Sequence, residues 1–97
     1  MRLEARAKAG YYPTPDSVVK LIASCLGHSL NAAVLDPCCG TGDAVYQVAQ
    51  HLGATPWGIE LSEERFIEAR KLFKEARHGD ALAHQAGGFS LLYLNPP

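Results

Sequence analysis

Apolar residues recur along this chain in two rhythms, and the switching between them predicts the architecture. Val18, Leu21, Ile22, Cys25 and Leu26 recur at helical spacing, the pattern of an amphipathic helix with one buried stripe. Thr14 is expected as its N-cap, Pro15 as its first helical residue and Gly27 as its stop. Ala32 to Leu35 is short, apolar and β-branched at Val34, which reads as a buried strand. Ala44, Val45, Val48, Ala49 and Leu52 line one face of a second helix closed by Gly53. Pro56 to Leu61 reads as the next strand. Ser62 should cap a third helix, with Glu63 and Glu64 in its positive first turn and Lys71, Lys74 and Arg77 near its far end. Leu61 and Phe66 stand at the positions of a hydrophobic staple, and Phe66, Ala69, Phe73 and Ala76 form the inner face. Ala76 to His78 reads as a third strand. Phe89 to Leu94 reads as a fourth, apolar enough to be covered on both faces.

Residues 2–9 have helical composition and are expected to form an N-terminal arm ending at Gly10. Tyr11-Tyr12-Pro13-Thr14-Pro15 must be extended, because each proline pushes its predecessor out of the helical region. No repeat, low-complexity tract or linker divides the chain, so residues 1–97 read as one domain, with 1–10 as arm and 11–97 as its body. Strands alternating with helices imply right-handed crossovers and a parallel sheet. Ligands of such sheets bind beyond the carboxyl ends of the strands. Asp36, Glu60, Asp80 and Asn95 all fall at or just past those ends.

Composition narrows the picture only slightly. With 97 residues and 47% hydrophobic content the chain fits one small globular domain. A formal net charge of −1 gives no global field for nucleic acid, and the basic trio Arg2, Arg6 and Lys8 reads as solvated helix surface. Cys25, Cys38 and Cys39 make an odd count without C-x-x-C spacing, which argues against a disulfide framework, secretion and a structural zinc site. No run approaches the length of a membrane span, and the default setting is cytoplasmic.

Candidate chemistry gathers on the rim. Gly40 and Gly42 follow the first strand and open the second helix, a turn whose amides and helix N-terminus suit a carboxylate or another anion. The plain alternative is a tight turn without a ligand. Glu60 lies twenty positions past Gly40, close to the spacing at which an acidic residue takes ribose hydroxyls; otherwise it is a surface residue at a strand end. Asp80 after Gly79 could accept from an adenine amine or simply shape a local turn. Trp57 and Tyr93 read as packing residues. His28, His51, His78 and His84 form no recognisable triad.

These residues carry a resemblance. DPCCGTGDA (36–44) resembles the D-P-x-C-G-x-G cofactor motif of amino-methyltransferases that modify adenine in DNA. GIELSEER and HGDAL are similar to their second and third cofactor motifs, and LLYLNPP (91–97) to their strand and N-P-P-aromatic catalytic motif. YYPTP (11–15) looks like the Tyr-x-Thr-Pro element of the gamma-ordered members and of type I modification subunits. The resemblance implies a Rossmann-like, doubly wound α/β fold of the class I methyltransferase type, here a partial sheet of order 3-2-1-4. It implies S-adenosylmethionine as cofactor, with Tyr12, Thr14, Pro15, Asp36, Cys38, Gly40 and Gly42 around its methionine part. Glu60 would hold the ribose, Leu61 is a further cofactor-binding position, and Asp80 with Ala81 would meet adenine. Asn95, Pro96 and Pro97 would form the catalytic motif, with Asn95 and the Pro96 carbonyl accepting from the amine of a flipped adenine. The stacking aromatic that continues the family motif has no counterpart after Pro97. DNA is then a partner through regions outside this chain, the chain alone is expected not to methylate it, and the Phe89–Leu94 edge is expected to pair with another chain. Three alternatives stay open: an N-P-P methyltransferase acting on a protein glutamine amide or on RNA guanine, a non-catalytic edge-pairing module, and, more distantly, a nicotinamide oxidoreductase.

Overall fold

A computed structural model describes residues 13–27, 31–83 and 87–94. The N-terminal arm, Tyr11, Tyr12 and the Asn95-Pro96-Pro97 motif lie outside these described residues. The chain runs α1 (Asp16–Ser24), β1 (Ala33–Asp36), α2 (Asp43–Leu52), β2 (Thr55–Glu60), α3 (Glu63–Leu72), β3 (Ala76–His78), a 3-10 turn (Ala81–Ala83) and β4 (Leu91–Leu92). The strands form one sheet of order β3-β2-β1-β4, and every pairing is parallel. This is the expected Rossmann-like α/β order, with β1 in the middle because α2 and α3 each carry the chain to the next strand on one side.

One core cluster unites the three helices with the sheet. Val34, Val45, Val48 and Ala69 are fully buried, and Val19, Ala49 and Ala76 are almost so, in a cluster that also takes in Cys39, Leu52, Phe73 and Tyr93. Alternation along a strand explains the partition: Val34 joins the helix-facing cluster, and Leu35 points to the opposite face. No buried side-chain nitrogen or oxygen among the described residues lacks a hydrogen-bond partner.

Several local expectations are corrected. Helix α1 takes Pro15, not Thr14, as its N-cap. Pro15 has φ −59° and ψ 146°, and its carbonyl accepts the Val18 and Val19 amides at 3.0 Å each. Thr14 is thereby left outside the helix, and its hydroxyl accepts from Tyr93 instead. The same helix ends at Ser24, before Gly27. Strand β1 is shifted to Ala33–Asp36 and β2 to Thr55–Glu60, so Leu61 stands just beyond the sheet. The staple yields to another contact: Leu61 is 70% exposed, and Phe66 stacks on His78 with centroids 5.4 Å apart. The ladder of β4 covers Leu91–Leu92 rather than the whole Phe89–Leu94 run, although Ser90 and Tyr93 still donate their amides to the Ala33 and Leu35 carbonyls. Ser62 does cap α3, accepting the Arg65 amide at 3.4 Å.

Candidate active site

The carboxyl ends of β1 and β2 build the site. Strand β1 ends on Asp36, which is 3% exposed and accepts the Cys38 amide at 3.0 Å. The chain then turns through Gly40 (φ 61°) and Gly42 (φ 87°), left-handed conformations that favour glycine. Gly42 is the N-cap of α2, so the helix N-terminus opens directly from this turn. A Cβ on Gly42 would lie 2.7 Å from Phe73 Cε1 and 3.1 Å from Ala69 Cβ. The glycine therefore serves the approach of α3 as well as the turn, which was not legible from the motif.

Glu60 closes the other side. It is 6% exposed, and three donors meet its carboxylate. Oε1 accepts the Gly40 amide at 2.8 Å; Oε2 accepts the Ser62 amide at 2.8 Å and Arg65 Nε at 3.3 Å. The twenty-residue spacing thus corresponds to a direct bond between the acid and the glycine turn. Arg65 was missed at the sequence level, yet its signal was there: a capped helix starting right after β2 brings its first-turn residues back over the strand end.

Burial sets the electrostatics. Desolvation, opposed by the Cys38 amide and reinforced by the charge of Glu60, raises the Asp36 carboxyl from 3.8 to about 6. Burial, with Asp36 and Glu60 nearby, pushes the Cys39 thiol up to about 12, and Cys38 shifts in the same direction for the same reasons. Both thiols are therefore held protonated, so neither is an activated nucleophile. The third rim acid, Asp80, is exposed and its Oδ1 accepts the Leu82 amide at 2.9 Å, starting the 3-10 turn at half-buried Ala81. Next to it, His78 Nε2 lies 3.0 Å from the Leu61 carbonyl.

The predicted residues among those described thus fall into three groups. Asp36, Cys38, Gly40, Gly42 and Glu60 are brought together by hydrogen bonds around one turn. Leu61, Asp80 and Ala81 follow β2 and β3 on the adjoining stretch of rim, and Thr14 and Pro15 precede α1 on the side of β4. Among the described residues no group of three His, Cys, Asp or Glu side chains is placed to hold a metal, and no helix is long and apolar enough to cross a membrane.

A parallel 3-2-1-4 sheet with a glycine turn after β1 and an acid ending β2 is the Rossmann-like arrangement that dinucleotide-binding domains share, and the family and the solved structures it matches place it in the class I methyltransferase type. Within that class, the chain belongs to an uncharacterised methyltransferase family (DUF6094), whose profile matches residues 1–97. Similar solved structures include an RNA methyltransferase from Salinibacter ruber in complex with S-adenosyl-L-homocysteine, at 26% identity and TM-score 0.71, over 86% of this chain and 60% of the other. A TehB-like SAM-dependent methyltransferase from Corynebacterium glutamicum is 25% identical with TM-score 0.63, over 95% of this chain and 50% of the other. A SAM-dependent methyltransferase from Geobacter sulfurreducens in complex with S-adenosyl-L-homocysteine is 26% identical with TM-score 0.58, over 75% and 32%. The chain thus spans 60% or less of the length of these proteins. No curated protein matches it.

Proposed function

We propose that this chain forms the cofactor-binding part of an S-adenosylmethionine-dependent enzyme that methylates the exocyclic amine of adenine in DNA. The observation that carries the cofactor reading is the pair of buried carboxylates, Asp36 and Glu60, flanking one glycine turn. The residues present suit the group. Asp36 would meet the ammonium of the methionine part, the α2 N-terminus its carboxylate, and Glu60 the ribose diol. A carboxylate offers about four acceptor directions, so a diol bound at both Glu60 oxygens displaces the longest existing contact, that of Arg65 Nε at 3.3 Å. Leu61, 70% exposed at the rim, supplies an apolar surface for a purine.

The bound cofactor supplies an electrophilic methyl group on a sulfonium. The protein's part is to aim an amine at it. Asn95 and the Pro96 carbonyl, which lie outside the described residues, are assigned the two hydrogen bonds from the amine. Two acceptors draw its lone pair out of conjugation with the ring, and orientation and proximity do the rest. The N-P-P motif suits any planar amine, so the choice of DNA adenine rests on the YYPTP element. A second reading, the amine of guanine in RNA, is favoured by the likeness to the Salinibacter ruber RNA methyltransferase.

Calorimetric titration with S-adenosylhomocysteine tests the cofactor reading. The wild-type chain should bind, and Glu60→Gln, which keeps the side chain's shape but turns its NH2 toward one of the two backbone amides that Glu60 accepts, should weaken binding at least about tenfold, or about 1.4 kcal/mol. A folded wild-type chain that gives no binding heat sinks the reading. Nucleoside mass spectrometry on cells expressing the protein separates the targets: N6-methyladenine in DNA supports the first, and N2-methylguanine in RNA replaces it with the second.

A further inference from the structure

Tyr93 joins the N-terminal segment to the sheet at the edge of this site. The side chain is 9% exposed, and its hydroxyl donates to Thr14 Oγ1 at 3.3 Å, across 79 positions of sequence. Its amide donates to the Leu35 carbonyl at 2.8 Å. That bond continues the pairing of Val34 with Leu91 and Leu35 with Leu92, and sets Tyr93 beside Asp36. The sheet order then fixes a line along the rim. Asp80 follows β3, Glu60 ends β2, Asp36 ends β1, and Tyr93 follows β4. A ligand with its base toward Asp80 and its ribose on Glu60 must extend its remaining end past Asp36 toward Tyr93 and Thr14. For S-adenosylmethionine that end is an amino acid, a zwitterion that needs a carboxylate for its ammonium and hydrogen-bond donors for its own carboxylate.

We propose that Tyr93 is a positioning residue whose hydroxyl holds Thr14 against the end of β4 and so fixes the wall that receives the amino-acid end of the cofactor. The inference rests on the cofactor reading above and goes beyond it. Burial of the ring does not call for a hydroxyl, since the other members of its core cluster are apolar side chains. What the hydroxyl adds is a fixed separation between the Thr-Pro segment and the strand that leads, two residues later, to Asn95.

The test is titration of the full chain with two probes, S-adenosylhomocysteine and 5′-methylthioadenosine, which lacks the amino acid. Removing one hydrogen bond of this kind in Tyr93→Phe should weaken S-adenosylhomocysteine about fivefold and leave methylthioadenosine within about twofold. Thr14→Val should lose at least as much S-adenosylhomocysteine affinity and again spare methylthioadenosine, Tyr93→Phe should cost nothing further on top of Thr14→Val, and Thr14→Ser should restore wild-type affinity. Unchanged S-adenosylhomocysteine affinity in Tyr93→Phe overturns the proposal. So does an equal loss for both probes, which would mean a purely structural role. Wild-type chain that binds neither probe removes the cofactor reading itself, and this inference with it.

Discussion

Asp36 and Glu60 are both carboxylates at strand ends and both nearly buried, yet their surroundings differ. Glu60 meets two amides and a guanidinium, whereas Asp36 meets the Cys38 amide and a neighbouring negative charge. The folded chain therefore binds a proton at Asp36 more tightly than the unfolded chain does, at about 6 against 3.8. Its contribution to stability is fully present below the unfolded value and is lost as pH rises through about 6. Asp36→Asn can still accept the Cys38 amide, so at pH 8 it should melt about 4–8 °C or more above wild type. The gap should close as the pH is lowered toward the unfolded value, by calorimetry across that range. The same variant should bind S-adenosylhomocysteine more weakly at pH 8, having lost the partner for an ammonium, while wild-type affinity should fall as pH drops through about 6. Greater stability with weaker binding is the mark of a functional buried charge. Glu60→Ala is a poorer probe, since each buried donor it strands costs about 1–3 kcal/mol and the fold and the site would be lost together.

Among the elements, the β1–α2 turn and helix α3 depend on each other. Gly42 needs a left-handed backbone and also clears Phe73, whereas Gly58 lies where a Cβ would come within 2.6 Å of Cys39 Sγ and 2.8 Å of Cys39 Cβ. Gly58→Ala should therefore cost about 1–3 kcal/mol by overpacking alone. Gly42→Ala adds about 1–2 kcal/mol of backbone strain and should cost more. Chemical denaturation of the two variants checks that order. Sequence periodicity made α1, α2 and α3 and the capping role of Ser62 legible, because those features are local. It misplaced the start of α1 by one residue: the Pro15 carbonyl opens the helix, and the Thr14 hydroxyl accepts from a tyrosine 79 positions away. It also offered Leu61 to a staple that the ring of His78 displaces. Such losses to distant partners are what a local reading cannot foresee.

Across the whole molecule, the alternation of strands and helices predicts the sheet order, and the polar residues after each strand predict which rim carries the chemistry. The hydrogen bonds that join those residues were not predictable, because they depend on how closely β1, β2 and β4 approach at their ends. Strand β4 illustrates the difference. It forms one edge of the sheet, with Leu92 51% and Leu94 63% exposed, and it reaches β1 through bonds such as that of the Ala33 amide to Ser90 Oγ, 57 positions apart. By contrast β1 meets β2 from Ala33 to Thr55, and β2 meets β3 from Gly58 to Ala76, both much shorter closures. Longer closure costs more chain entropy before any contact repays it. The expected order of assembly therefore sets β1, β2 and β3 first, with the glycine turn and both buried carboxylates already in place, and docks β4 last. Pulse-labelled hydrogen exchange should find the Cys39 amide, bonded to the Ile59 carbonyl, protected before the Tyr93 amide; simultaneous protection would refute that order. A chain still assembling would thus pass through a state that holds the ribose side of the site but has no wall for the amino acid, and the docking of β4 would decide when it first retains a ligand.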